Sequence, residues 1–352
     1  MLQVFRRISG VLLGLIVLLQ VYGLPQAEAA IISTKEEISI GKNVAKELEK
    51  KYGLVEDQEL QNRVDRIGQS LAAVSERRDL QYSFKVLNSK EVNALAAPGG
   101  FIYVFKGLVD HMPSDEELAG VLSHEVGHVV KRHTVRQIEK SLLAQVLFGV
   151  LFGDRGVMLQ NLAFNAIMSG YSRDDEREAD QVGFNQALQA GYNPYSMAMT
   201  LSKLDDLDRK GNAGLFSTHP EPDARAKRVM GYIESIGVKP SIVIDEKSAQ
   251  VVDGTWQLPA YAADAEGYKP KYRAYFAAGA LYQAAKQPNF RCDNFIVLSD
   301  EGKATIYYDD LKITVLTQQD AALSNTTLAE LTDQYILKLR EWAAPKDQNK
   351  TI

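Results

Sequence analysis

The sequence predicts an α+β protein: a mainly helical segment with a small sheet over residues 30–237, then a small α+β domain over residues 240–352. Three observations predict it. Charge-rich stretches with apolar residues at helical spacing fill most of the first segment, two short strand-like runs interrupt them, and past residue 237 strand-like runs gather. With 352 residues, 45% of them hydrophobic and 24% charged, the chain can bury a sizeable core in two domains.

At the N-terminus, Arg6 and Arg7 precede the apolar run Val11 to Leu19 and then Ala27-Glu28-Ala29. That is the layout of a secretory signal with a small-residue cleavage site, so residues 1–29 are expected to be a signal peptide and the protein to be exported. No cysteine lies there for a lipid, and an uncleaved signal would act as a membrane anchor instead. The formal net charge of -5 carries no sign of a nucleic-acid partner. The lone Cys292 cannot form an internal disulfide and is expected to be a buried, inert thiol.

Residues 34–73 carry Ile38, Ile40, Val44 and Leu48, then Leu60, Val64, Ile67 and Leu71, at the spacing of amphipathic surface helices. Tyr82, Phe84 and Val86 alternate with polar residues, and Phe101 to Phe105 follow the turn-like Pro98-Gly99-Gly100, which gives two strands. His111 reads as a loop residue ahead of Ser114 and Glu117, a capping box that opens a helix through Val130. The apolar stretches 142–152 and 159–168 are too short to span a bilayer and read as a helical hairpin packed on the core, or as a lid or membrane-contacting flap. A further helix runs from Ser172 to a stop at Gly191, and another starts at Pro222. Beyond them Asn294–Leu298, Ala304–Tyr308 and Leu311–Leu316 read as strands, and Thr327 with Glu330 caps a last helix ending near Trp342. Trp256 and Trp342 are expected in the core.

The chemistry concentrates in His124-Glu125-Val126-Gly127-His128. Four residues of helix turn about 400°, so His124 and His128 leave one face and can grip one ion, with Glu125 beside them as general base. A catalytic zinc needs about three protein ligands and an open position, as in the zincin proteases. A third histidine six residues after His128 would complete one arrangement, but Thr134 stands there. His133 is one residue early and reads as a surface histidine or one supporting a ligand. The ligand must then come from the acidic stretch Tyr171 to Asp180, where Glu176 and Asp180 share a helix face and Glu178 points elsewhere. Glu176 is the expected ligand and Asp180 the acceptor that orients a ligating histidine. Without the histidine pair, this stretch would read as a solvated charged face.

Four blocks then match a known pattern in order: Asn93-Ala94 through Pro98-Gly99-Gly100, His124 to His133, Glu176-Arg177-Glu178-Ala179-Asp180, and Thr218-His219-Pro220 with Arg225. Over roughly residues 31–237 the chain resembles metallopeptidase family 48, which includes the CAAX prenyl proteases, the HtpX heat-shock proteases and soluble periplasmic proteases of the BepA type, the last most of all. The resemblance implies a gluzincin-type zincin fold, one Zn2+ completed by Glu176, and Asp180 and Arg225 supporting the ligands. It implies that His219 can occupy the fourth zinc position and hold the enzyme latent until it swings away; the plain alternative is a structural turn histidine before Pro220, and the expected mechanism also gives His219 a place at the oxyanion beside the zinc. It also implies that Gly99, Gly100, Phe101 and Tyr103 form a strand at the cleft edge that pairs with extended substrate. The expected protein is a periplasmic zinc endopeptidase whose polypeptide substrates are misfolded or misassembled envelope proteins, with membrane-surface contact as a further trait. The alternative is a chaperone-like quality-control factor with a latent protease site. Residues 240–352 depart from the BepA pattern, since no tetratricopeptide period runs through them.

Overall fold

The computed structural model describes residues 31–147, 155–209 and 218–347. The expected signal peptide and its cleavage site lie outside these residues. Two helices open the described chain, α1 (Thr34–Tyr52) and α2 (Gln58–Ala73), each with its apolar stripe buried. The Ser33 hydroxyl and the Glu36 carboxylate cap α1 reciprocally, and the Asp57 carboxylate caps α2 by accepting from the Leu60 N–H.

Three strands follow, β1 (Ser83–Leu87), β2 (Ala94–Ala97) and β3 (Phe101–Phe105). β3 lies in the middle, parallel to β1 and antiparallel to β2. Gly99 and Gly100, at φ +77° and +91°, make the turn from β2 to β3, a conformation L side chains avoid. Short α3 (Lys106–His111) leads to α4 (Asp115–Val130), which carries the histidine pair. His111 closes α3, with its Nδ1 2.7 Å from the Gly107 carbonyl, so the expected loop there is a helical turn.

Helices α5 (His133–Leu147) and α6 (Arg155–Ser169) form a hairpin. Its Val135, Ile138, Leu142, Leu159, Ala163 and Ile167 are buried against α1 and one sheet face, which bears out the core-packed reading of the apolar stretches where they are described. Among the described residues no helix is long and apolar enough to cross a membrane. Next come α7 (Arg173–Gln189), α8 (Ser196–Asp208) and α9 (Pro222–Ser235). α2, the other sheet face and α4 share a second core around Val64, Ile67, Ile102, Val104, Leu118 and Leu122.

The remaining chain forms two three-stranded antiparallel sheets and three helices: β4 (Ser241–Ile244), β5 (Ala249–Asp253), β6 (Trp256–Gln257), α10 (Pro270–Ala285), β7 (Phe295–Asp300), β8 (Lys303–Tyr308), β9 (Leu311–Thr317), α11 (Gln318–Leu323) and α12 (Leu328–Ala343). The last three strands and α12 fall where the sequence placed them. Its core continues into α8 and α9: Tyr195, Met199 and Val229 belong to one cluster with Val251, Tyr261, Leu281, Tyr335 and Trp342. Trp342 is buried, and Trp256 packs 5.9 Å from it while half-buried itself. Cys292 is half-buried as well, not enclosed as expected.

Asp206 of α8 pins the start of α10, accepting from Lys269 Nζ at 2.8 Å, Lys271 Nζ at 3.1 Å and the Tyr272 hydroxyl at 2.9 Å. Burial would raise its pKa, but the bonds from Lys269, Tyr272 and Lys271 outweigh burial and hold the carboxyl down to about 2. A depressed carboxylate stabilises the fold above its unfolded pKa of about 3.9, and the contribution fades as pH falls toward the folded value. Asp206→Asn is therefore expected to lower the melting temperature at pH 6, and the gap from wild type to close between about pH 4 and 2. A gap independent of pH would remove Asp206 as the clasp.

Candidate metal centre

Helices α4 and α7 cross at a pair of glycines, and that crossing builds the site. A Cβ on Gly127 would lie 2.5 Å from the Ala179 carbonyl oxygen, and one on Gly183 would lie 2.6 Å from that of Ser123. Only glycine lets the two backbones come this close. The contact lays His124 and His128 of α4 against Glu176 and Asp180 of α7, all four nearly or fully buried. Both helices carry capping boxes, Ser114 with Glu117 and Ser172 with Asp175, which fix where each begins and hence which face points inward.

Four side chains converge. His124 Nε2 lies 3.0 Å from His128 Nε2, 3.2 Å from His219 Nδ1 and 3.4 Å from Glu176 Oε2. Glu176 Oε1 lies 3.3 Å from His128 Nε2 and 2.9 Å from His219 Nδ1. Donors about 2.0–2.1 Å from a tetrahedral zinc stand about 3.3 Å from one another, so this spacing suits one such ion.

The charges ask for a cation. Glu125, Glu176 and Asp180 are buried together; Arg225 faces Glu176 and Asp180 from within the core, and the part-exposed Arg228 reaches Asp180 at 3.8 Å. Arg225 binds Asp180 at 2.7 and 2.9 Å and forms an ion pair with Glu176 Oε2 at 2.6 Å, outside hydrogen-bond angles. Three carboxylates outnumber these two guanidiniums, and Glu125 is ion-paired with neither, so negative charge is left out of water, a costly arrangement unless paired. Glu125 Oε2 and His219 Nε2 are buried with no hydrogen-bond partner, and Glu125 Oε1 lies 3.5 Å from His219 Nε2. The donor set and the unpaired atoms both suit a divalent metal with its coordinated solvent.

The electrostatics point the same way. Burial and Arg225 oppose a proton on His124, but Glu176 and Asp180 outweigh them and raise its pKa to about 9. Burial, then the charge on His124, hold His128 well below the usual imidazole range. Glu176 stays far below the usual carboxylate range, because Arg225, His219 and His124 overcome its burial. His124 Nδ1 lies 3.0 Å from Asp180 Oδ1 and 3.1 Å from the Arg225 guanidinium, so these two hold the ring from behind while Nε2 faces the cluster.

The structure thus assembles His124, Glu125, His128, Glu176, Asp180, His219 and Arg225. It does not bring the strand of Phe101 and Tyr103, or the turn residues Gly99 and Gly100, to a cleft edge. β3 is central with both sides paired, and Tyr103 is buried with its hydroxyl on Glu49 at 2.7 Å. The edge strands are β1 and β2, and β2 was missed in the sequence because Ala94-Leu95-Ala96-Ala97 is short and poor in β-formers. Ala94 lines the same cavity as His124, Glu125 and His219. Sequence reasoning also missed Tyr171, whose ring stacks on His128 at 3.8 Å and whose N–H binds the Thr218 carbonyl, tying down the segment that bears His219. His133 is buried against His128 and is not a surface residue.

The model of peptidase family M48 matches residues 58–233, and a domain of unknown function (DUF8459) matches residues 249–344. Relatives include the mitochondrial metalloendopeptidase OMA1 of Arabidopsis thaliana, 33% identical over 178 residues, 49% of this chain and 36% of that protein. A putative beta-barrel assembly-enhancing protease of Vibrio cholerae is 27% identical over 213 residues, 55% of this chain and 43% of that protein. Metalloprotease LoiP of Escherichia coli is 30% identical over 164 residues, 45% of this chain and 65% of that protein. The chain covers less than two thirds of the length of each.

Proposed function

The chain belongs to peptidase family M48, and on that premise we propose that it is an exported zinc-dependent metalloendopeptidase of envelope protein quality control. The observation that carries the reading is the convergence of two histidines and a glutamate beside a buried glutamate with an unpaired oxygen. Residues 1–29 are read as its signal, 30–237 as the catalytic domain and 240–352 as a domain of separate role. The signal-like N-terminus supports export to the periplasm, and the likeness to the beta-barrel assembly-enhancing protease of Vibrio favours an envelope role.

His124 Nε2, His128 Nε2 and Glu176 would hold the zinc. When bound, zinc supplies Lewis acidity toward the scissile carbonyl and the attacking water. Glu125 accepts the proton of that water and returns it to the leaving amine. At the cavity end of edge strand β2, Ala94 offers its backbone to an extended substrate, a role first expected of β3; further along, the Ala96 carbonyl is already taken by the Thr134 and Tyr171 hydroxyls. Next to Glu125 the cavity wall is Leu108, Val121, Met197, Leu201 and Leu204, so an apolar side chain flanking the scissile bond is favoured. Misfolded envelope proteins, which expose such residues in extended segments, are the substrates this suits.

His219 stands among the ligands as a fourth donor and so closes the site. With zinc supplied, His219→Ala is expected to cleave casein several-fold faster than wild type, read as kcat/KM. A lower kcat at unchanged KM would place His219 at the oxyanion and end the latch reading. Cleavage by neither protein would overturn the peptidase itself.

A further inference from the structure

Behind His128 a second group of side chains continues away from the ligands. His133 Nδ1 lies 2.7 Å from His128 Nδ1, and His133 Nε2 lies 3.1 Å from Glu178 Oε2 and 3.6 Å from Asp175 Oδ1. Arg136 NH2 binds both carboxylates, at 2.9 Å to Asp175 and 2.8 Å to Glu178. His133, Asp175 and Glu178 are close enough to hold an ion of their own, but the guanidinium of Arg136 already binds both carboxylates there. The His133 ring is fully enclosed, so its orientation is fixed by these contacts.

We propose that His133 is a positioning residue for the metal, part of a relay in which Glu178 orients His133 and His133 orients His128. The inference rests on the metal centre proposed above. Two nitrogens 2.7 Å apart share one proton. His128 turns Nε2 toward His124 and Glu176, and a ligating nitrogen must present a lone pair, so the proton of His128 sits on Nδ1. That N–H donates to His133 Nδ1, which forces the His133 proton onto Nε2, where it donates to Glu178. Each tautomer is thus dictated by the next group outward, ending on a carboxylate fixed by Arg136. Ligating histidines commonly use a carboxylate or carbonyl directly for this purpose. Here an imidazole stands between, so the ligand is oriented from outside the core by a glutamate that the helical pattern alone turns away from the site.

The relay acts on metal affinity, and that is where it is read. The zinc dissociation constant of the full chain is measured by competition with a chromogenic chelator, with circular dichroism confirming the fold of each variant. H133F, which keeps a ring but removes the acceptor, is expected to bind zinc about 10–100-fold more weakly than wild type. H133N, whose amide oxygen can accept from His128 Nδ1, is expected to recover most of that loss. Equal affinity in H133F and wild type, or no recovery in H133N, overturns the relay and leaves the metal centre standing. Should H133F not fold, E178Q at the half-exposed end replaces it: weaker zinc binding is expected, and unchanged binding contradicts the relay. A wild-type chain that binds no zinc overturns both the relay and the centre.

Discussion

Glu125→Gln is expected to abolish peptide cleavage, lowering kcat by about 10^3-fold or more, while zinc content and fold are kept. A positioned general base is worth about 10^2–10^4 in rate, and glutamine has the shape of glutamate without its basicity. The substitution is benign for structure because Glu125 makes no bond that the fold depends on: one of its oxygens has no partner and the other lies 3.5 Å from His219. Removing one of three crowded carboxylates also relieves repulsion, so the melting temperature should stay level or rise. Cleavage kinetics and a thermal melt on the same preparation check both halves. Retained cleavage would take the proton transfer away from Glu125.

Gly183→Val is expected to be severely damaging, because it drives apart the two helices that build the metal centre. The first side-chain atom alone would stand 2.6 Å from the Ser123 carbonyl and 2.9 Å from the His124 N–H nitrogen, both backbone atoms with no rotamer to yield. Relief requires α7 to move off α4, carrying Glu176 and Asp180 away from the histidines. Overpacking usually costs about 1–3 kcal/mol, and against a rigid helix backbone the cost belongs at or above the upper end. Zinc binding should fall with stability. Gly231→Ala in α9 is the control, since nothing lies within 4 Å of the added Cβ, and it should stabilise by about 0.5–1 kcal/mol. Urea denaturation of the two variants separates helix propensity from helix contact: equal effects would remove the close crossing as a requirement.

These two residues also mark what the sequence could and could not reveal. The ligand helix was legible because its signals are local: the capping box at Ser114 and the four-residue spacing of His124 and His128 both lie within one helix. Glu176 followed from the chemistry of a metal that needs a third donor, and Asp180 from its place one turn on. Gly127 and Gly183 look ordinary in isolation, because their meaning is the approach of a helix fifty residues distant. The strand assignment failed for the same reason. Phe101 to Phe105 has strong β-formers and Ala94 to Ala97 does not, but which strand is central is decided by pairing with β1. α10 went unseen because Ala274, Ala277, Ala278, Ala280, Leu281 and Ala284 bury most of its circumference, which leaves no one-sided stripe to read. His219 carried no local signal and was reached through the resemblance of the Thr218-His219-Pro220 block.

Residues 240–352 bear on the site through α4. Glu117, at the start of that helix, accepts from the Tyr268 hydroxyl at 2.9 Å and pairs with Lys203 of α8. Glu116 accepts from the Asn193 N–H at 2.8 Å and the Ser196 hydroxyl at 3.0 Å, with Gln283 of α10 at 3.4 Å. Burial raises the Glu116 carboxyl above its ordinary range despite those three bonds. The C-terminal segment therefore holds the first turn of the helix that presents His124, and its removal would expose the core it shares with α8 and α9.

The account stands on one ion held by His124, His128 and Glu176. Zinc per chain, measured by atomic emission on protein purified with zinc and dialysed, tests it most directly when wild type and Glu176→Ala are compared. The account predicts one zinc per chain in the wild type and a large loss in Glu176→Ala. A wild type without zinc, or a Glu176→Ala protein that keeps it in full, would contradict the assignment of the metal centre.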